Sequence, residues 1–109
     1  MLNPFASMIE KQVARMQENI EQALGELAQV IVEGRSDDGL VIAHVNGLGD
    51  PLDIEIADEL LATADKAALQ TAVCTAMADA LRHAREAKRD KISQATPLGA
   101  LGVELPDGL

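Results

Sequence analysis

Apolar residues recur at spacings of three and four along the first quarter of the chain. The series is Ile9, Val13, Met16, Ile20, Ala23 and Leu27. This spacing is typical of one face of an α-helix. Asn3-Pro4 supplies a start signal, with asparagine as the N-cap and proline at the first helical position. We therefore predict a helix from about residue 4 to residue 27.

From residue 28 the pattern changes to short apolar runs separated by turn residues. We predict strands at about 29–33, 40–45 and 52–56. The dipeptides Asp38-Gly39 and Asn46-Gly47 are typical of tight turns. The third run alternates apolar and acidic residues, which is the period of a half-buried strand. Because the turns are short, the three strands are expected to form an antiparallel meander.

A second helical pattern follows the strands. Residues 58–61 suit a short helical turn, and Thr63 or Asp65 could cap a long helix over about 65–93. The first half of that helix is rich in alanine, which suits close packing in a core or a dimer interface, and residues 82–91 are strongly charged. The prediction is an α+β fold of long helix, three-stranded antiparallel meander and long helix. Residues 1–95 form its single domain, and residues 96–109 read as an irregular C-terminal tail.

Composition limits the classes of function. The 109 residues include one aromatic side chain, Phe5, so no platform for stacking single-stranded bases is available. The formal net charge of −9 repels phosphate unless the few cations are concentrated in one place. The single cysteine, Cys74, excludes an internal disulfide, fits a reducing compartment and is expected to be buried. With no signal-peptide pattern, the chain is expected in the cytoplasm.

No set of residues has the pattern of a catalytic or metal site. Neither His44 nor His83 is placed beside Cys74 or a serine in a triad-like arrangement. The carboxylates between residues 50 and 58 lack the glycine and the bidentate glutamate of a calcium loop, so they are predicted to be a solvated sheet face. We expect no enzyme, no cofactor and no metal.

The cations supply a candidate site. If the two long helices are antiparallel neighbours, the start of the first lies beside the end of the second. Seven of the nine cations would then gather at one tip, namely Lys11, Arg15, Arg82, Arg85, Lys88, Arg89 and Lys91. Four acids in the same segments leave that tip at 7 − 4 = +3. Spacings of three and four place Arg82, Arg85 and Arg89 in one stripe suited to phosphate contact, although charged helix ends are often only solvated.

Several short strings occur in an order and spacing that match a known family. They are Met16-Gln17-Glu18, Gly39-Leu40-Val41, Val45-Asn46-Gly47, Ile54-Glu55-Ile56, Ala78-Asp79-Ala80 and Leu105-Pro106-Asp107-Gly108. On these strings the chain resembles the YbaB/EbfC family of small bacterial nucleoid-associated proteins. The resemblance implies a homodimer with tweezer-like helical arms that binds duplex DNA with low sequence specificity. It also implies a location on the nucleoid, with no catalysis and no cofactor.

One difference from the family affects the expected site. Many members carry lysine or arginine on strands two and three, whereas residues 28–63 here hold one cation and eight acids, a charge of −7. DNA contact is therefore expected at the helix tips and not on the sheet. The alternative is an acidic protein-interaction module of the same fold that has lost DNA binding. Such a module would dock a basic partner protein, for example a recombination or replication factor.

Overall fold

The elements follow one another in the predicted order. A computed structural model describes residues 4–63 and 65–95 of the chain. The elements are α1 (Pro4–Leu27), β1 (Ile31–Arg35), β2 (Val41–Asn46), β3 (Pro51–Ile56), α2 (Asp58–Thr63) and α3 (Lys66–Ala95). The predicted α+β class is confirmed. The expected cap at Asn3 and the expected tail at 96–109 lie outside the described residues.

The three strands form one antiparallel sheet in the order β1-β2-β3. On the central strand Val41, Ala43 and Val45 are fully buried, because they point toward α3. Their neighbours Ile42 and His44 point to the opposite face and are half-buried. The alternation predicted for this strand is therefore confirmed, and one face of the sheet carries the core.

Polar side chains fix both hairpin turns. In the first turn Gly39 has a φ of 74°, a left-handed conformation that favours glycine. The Asp38 carboxylate accepts hydrogen bonds from the Ser36 hydroxyl at 2.6 Å and from the Leu40 N–H at 3.0 Å. In the second turn the buried Asn46 side chain accepts the backbone N–H groups of residues 48 and 50. These bonds satisfy backbone groups that the ladder leaves unpaired.

Strand β1 lies two residues later than predicted. It covers Ile31–Arg35, and Val30 lies before it. Gly34 lies just beyond the predicted strand 29–33, but it is a buried strand residue on which α3 packs directly. A Cβ atom on Gly34 would lie closer than 3.0 Å to backbone atoms of Ala76 and Ala80. The glycine is therefore required for the approach of a helix and not for a turn.

Helix α3 covers the sheet with a face of small side chains. Asp65 caps the helix, since its carboxylate accepts the N–H of Ala68 at 2.7 Å. Ala76, Ala80 and Ala84 follow at spacings of four and are buried. Cys74 was expected to be buried but is exposed. Cys74 lies two residues before Ala76. The Cys74 side chain therefore points about 200° around the helix from that of Ala76, away from the sheet.

Helix α1 packs on the rest of the protein only through its last part. Ala23 and Leu27 are buried, and Gly47 lies against Leu27, whose carbonyl oxygen accepts the Gly47 N–H at 2.9 Å. Ile9 and Val13, on the same predicted apolar face, are 60% and 48% exposed. The sequence pattern predicted the helix correctly, but α3 alone covers the sheet.

We expect Gly34→Ala to lower the free energy of unfolding by about 3 kcal/mol, near the upper end of the usual cost of overpacking. The added methyl group would meet helix backbone, which cannot move away as a flexible side chain can. The measurement is the midpoint of urea unfolding.

The matched control is Gly25→Ala on α1, where an added Cβ meets nothing within 4 Å. This substitution should raise stability by about 0.5–1 kcal/mol, because alanine is the better helix former. Equal midpoints for the two variants would contradict the close packing of β1 on α3.

Candidate nucleic-acid interface

The second half of α3 carries an arginine stripe, which consists of Arg82, Arg85 and Arg89. All three are exposed. At 100° per residue they lie within about 60° of one another and roughly opposite Ala80, which faces the sheet. The stripe predicted from the spacing is therefore present on the solvent side of α3.

Asp79 fixes the start of this stripe against the sheet. Its carboxylate accepts the backbone N–H of Arg35 on β1 at 3.0 Å and also forms an ion pair with Arg82. The Arg35 hydrogen bond, followed by the Arg82 contact, lowers the pKa of Asp79 below its usual value. The same contact with Asp79 raises the pKa of Arg82. Asp79 thus orients Arg82 and also offsets part of its charge.

Lys91 marks the place where α3 meets α1. Its ammonium group forms an ion pair with Glu26, and this contact lowers the pKa of the Glu26 carboxyl. A shallow groove beside the pair is lined by Asn19, Gln22, Ala23, Glu26, Lys91, Gln94 and Ala95. The end of α3 therefore lies beside the last third of α1, and the two helices run antiparallel.

Lys11 and Arg15 do not join the cations of α3. From the pairing of Glu26 with Lys91 and a rise of 1.5 Å per residue, Lys11 lies about 22 Å beyond Glu26 along α1. Arg82 lies about 14 Å on the other side of Lys91. The expected single tip of seven cations is wrong in this respect, because the middle of α3, from Ala76 to Ala84, packs on the sheet and only the end of α3 reaches α1.

The charges are nonetheless separated along the chain. Residues 82–91 hold five cations, including the half-buried Lys88 and Lys91, and two acids, so their net charge is 5 − 2 = +3. Residues 28–63, which contain the sheet and α2, carry −7. One exposed helix segment is therefore positive although the whole chain is acidic.

The outer face of the sheet is acidic and contains one histidine. His44 lies between Glu33 on β1 and Glu55 on β3, with nitrogen–oxygen distances of 3.9 and 3.6 Å. Cross-strand pairing explains this arrangement, since His44 is opposite Glu33 and beside Asp53. Across the described ranges, 4–63 and 65–95, no three His, Cys, Asp or Glu side chains converge as a metal site would require.

The structural role of Asp79 in this region is not evident from the sequence. Its position three residues before Arg82 is a spacing typical of an ion pair on one helix face. The hydrogen bond to Arg35 joins residues 44 positions apart, and no local pattern reveals it.

The fold and this surface define a class of small α+β proteins with an acidic three-stranded sheet and a cationic helix segment. None of the helices within the described residues has an apolar stretch long enough to cross a membrane. The model of the YbaB/EbfC DNA-binding family matches residues 4–100. The chain belongs to that family, which is a DNA-binding family and not a family of enzymes.

Relatives and a solved structure agree with this assignment. Nucleoid-associated protein DP1429 of Desulfotalea psychrophila is 35% identical over 93% of this chain and 92% of its own length. The nucleoid-associated protein BAV0915 of Bordetella avium is 37% identical over 91% and 87%. The crystal structure of the uncharacterized protein HP0035 from Helicobacter pylori aligns with 83% of this chain and 92% of its own chain, with a TM-score of 0.68 at 26% identity. These comparisons favour DNA binding over the acidic interaction module.

We expect Asp79→Asn to lower the urea midpoint at neutral pH, because the neutral amide is a weaker acceptor for Arg35 and Arg82. The pKa of Asp79 is lowered from 3.8 in the folded protein. Its contribution to stability is therefore present above about pH 3.8 and is lost as the pH falls through the folded-state pKa. The measurement is the urea midpoint of both proteins between pH 7 and pH 3.

The control is Asp90→Asn, an exposed acid on the same helix. The difference between wild type and Asp79→Asn should shrink below pH 4, whereas a difference that stays constant across the range would exclude the charged carboxylate as its cause.

Proposed function

We propose that this protein is a homodimeric nucleoid-associated protein that binds duplex DNA with low sequence specificity through cations on its two long helices. The arginine stripe and Lys88 make the principal phosphate contacts. Lys91, Lys11 and Arg15 extend the contact along the same helices. The DNA lies against the helices and away from the acidic sheet.

The observation that carries this proposal is the separation of charge. Five of the nine cations lie between residues 82 and 91, and the three arginines of the stripe point away from the sheet. Arginine makes bidentate contacts with phosphate oxygens, so a stripe of three suits a DNA backbone. Release of counterions from the duplex then favours binding although the protein has a net charge of −9.

The spread of the cations suits contact along the side of the helices more than contact at one point. Arg82 and Lys11 lie about 36 Å apart along the helix axes, because they lie on opposite sides of the Glu26–Lys91 contact. One turn of B-DNA is about 34 Å long, so cations at both ends of this span can reach phosphates one turn apart.

Low specificity follows from the chemistry of the contacts. Phosphate contacts position a protein on DNA but carry no information about base sequence. Phe5 is the only aromatic side chain, and the proposed contacts are made to phosphate oxygens and not to base edges. We expect a dissociation constant of roughly 10⁻⁴ to 10⁻⁶ M at physiological salt.

The shape of the chain supports a homodimer. Its radius of gyration is 19.6 Å, whereas a compact domain of this length has about 13 Å. Ile9 and Val13 on α1 and Leu61 on α2 are large apolar side chains that are about half exposed or more. A second copy that covers such surfaces would supply the core that one chain of this size lacks.

The charge reversals Arg85→Glu and Arg89→Glu in one double variant should weaken DNA binding at least about tenfold. Each lost phosphate contact should also reduce the salt slope, the change of log K with log [salt], by about 1. The measurement is fluorescence anisotropy of a labelled random-sequence duplex across a salt series.

The matched control is the double variant Arg35→Glu and Lys66→Glu, which changes the net charge by the same amount at two exposed positions outside 82–91. It should lose much less affinity. Equal losses in the two double variants would show that net charge alone matters and would contradict a site on α3.

A separate double variant, Lys11→Glu and Arg15→Glu, tests the length of the interface. If DNA lies along both helices, the DNA affinity of this variant should fall several-fold, which is less than the loss expected for the Arg85 and Arg89 variant. Its salt slope should fall by about 1–2. Affinity and slope equal to those of wild type would confine the interface to α3. Circular dichroism of each variant checks that the helices remain formed.

A further inference from the structure

The two edges of the sheet differ in how their backbone groups are used. On β1 the outward N–H of Arg35 donates to the Asp79 carboxylate at 3.0 Å. The outward carbonyl oxygen of Glu33 lies 2.7 Å from the His83 ring nitrogen Nδ1. Both side chains belong to α3. They occupy two of the outward groups that an additional strand would need, so strand addition at Glu33 and Arg35 is blocked.

The outer edge of β3 is open. The Ala57 N–H donates to the Leu40 carbonyl at 2.8 Å, and antiparallel alternation then turns the backbone of Ile54 away from β2. Among residues 4–63 and 65–95, no hydrogen bond reaches the outward backbone groups of Ile54. Leu52 and Ile54 are 53% and 37% exposed. An exposed edge with apolar side chains is a template for another strand.

The charges beside this edge indicate what kind of strand fits. Residues 50–59 contain five carboxylates and no cation, and on β3 itself Asp53 and Glu55 share the outer face. Edge-to-edge pairing with a second copy would bring the carboxylates of both copies together on one face, which is unfavourable. An extended segment with lysine or arginine at alternate positions would instead place its cations beside Asp53 and Glu55. Its other side chains would lie beside Leu52 and Ile54.

We propose that the open edge of β3 binds an extended basic segment of a partner protein as a fourth strand of the sheet. Main-chain hydrogen bonds to β3 hold the segment, and alternating cationic and apolar side chains give the selectivity. The site lies on the sheet, apart from the arginine stripe. Peptide and duplex DNA can therefore be bound at the same time, and the site does not depend on the proposed DNA binding.

The test uses a labelled synthetic peptide of eight residues in which lysine and valine alternate. A control peptide has the same sequence and charge, but its valine backbone nitrogens are methylated, so one edge of the peptide cannot donate hydrogen bonds. We expect the methylated peptide to bind at least about tenfold more weakly, because main-chain hydrogen bonds carry much of the affinity in strand addition. Equal affinities would overturn the proposal and leave only attraction between opposite charges.

Two variants of the full chain locate the site. Asp53→Asn with Glu55→Gln should weaken binding of the unmethylated peptide, whereas Glu18→Gln with Glu21→Gln, on exposed positions of α1, should not. Backbone amide signals should shift at 51–56 when the peptide is added. Shifts confined to other segments would contradict the proposal. Hydrogen exchange of the Ile54 amide should also be measured without peptide. If this exchange slows as the protein concentration rises, a second copy occupies the edge and the proposal is contradicted.

Discussion

The direct packing of β1 on α3 at Gly34 is the contact on which the remaining structure depends. Because residue 34 has no side chain, the backbone of α3 near Ala76 and Ala80 lies against the strand. At that distance Asp79 and His83 reach the edge of β1 and hydrogen-bond to its backbone. The contact thus fixes both the height and the rotation of α3, and the rotation turns the arginine stripe toward solvent.

The position of α3 also explains how an acidic protein can offer phosphate a positive surface. The carboxylates of the outer sheet face, such as Asp53 and Glu55, are separated from the stripe by the sheet and the whole width of the helix. A helix alone is about 10 Å across, which exceeds the screening length of about 8 Å at physiological salt. Repulsion from the sheet is therefore weak at the stripe, and a net charge of −9 does not describe the electrostatic field at the stripe.

Local patterns predicted what depends on local physics. The bounds of α1, the alternation along β2 and the cap at Asp65, one of the two candidates, agree with the structure because each depends on residues a few positions apart. The start of β1 and the burial of Cys74 were predicted wrongly, since both depend on which helix face meets the sheet. The stripe followed from spacing alone. The distance of Lys11 from it depends on the overlap of α1 and α3, and the Glu26–Lys91 contact that marks this overlap joins residues 65 positions apart.

The proposed interface has DNA on the helices and not on the sheet, and backbone amide spectra of the isotopically labelled protein would locate the contact residue by residue. A random-sequence duplex would be added at low salt, and the shift of each amide signal recorded. We expect shifts concentrated at residues 82–91, smaller ones near 11–15, and almost none at 41–56. Shifts concentrated on the sheet, or none at any residue, would contradict it.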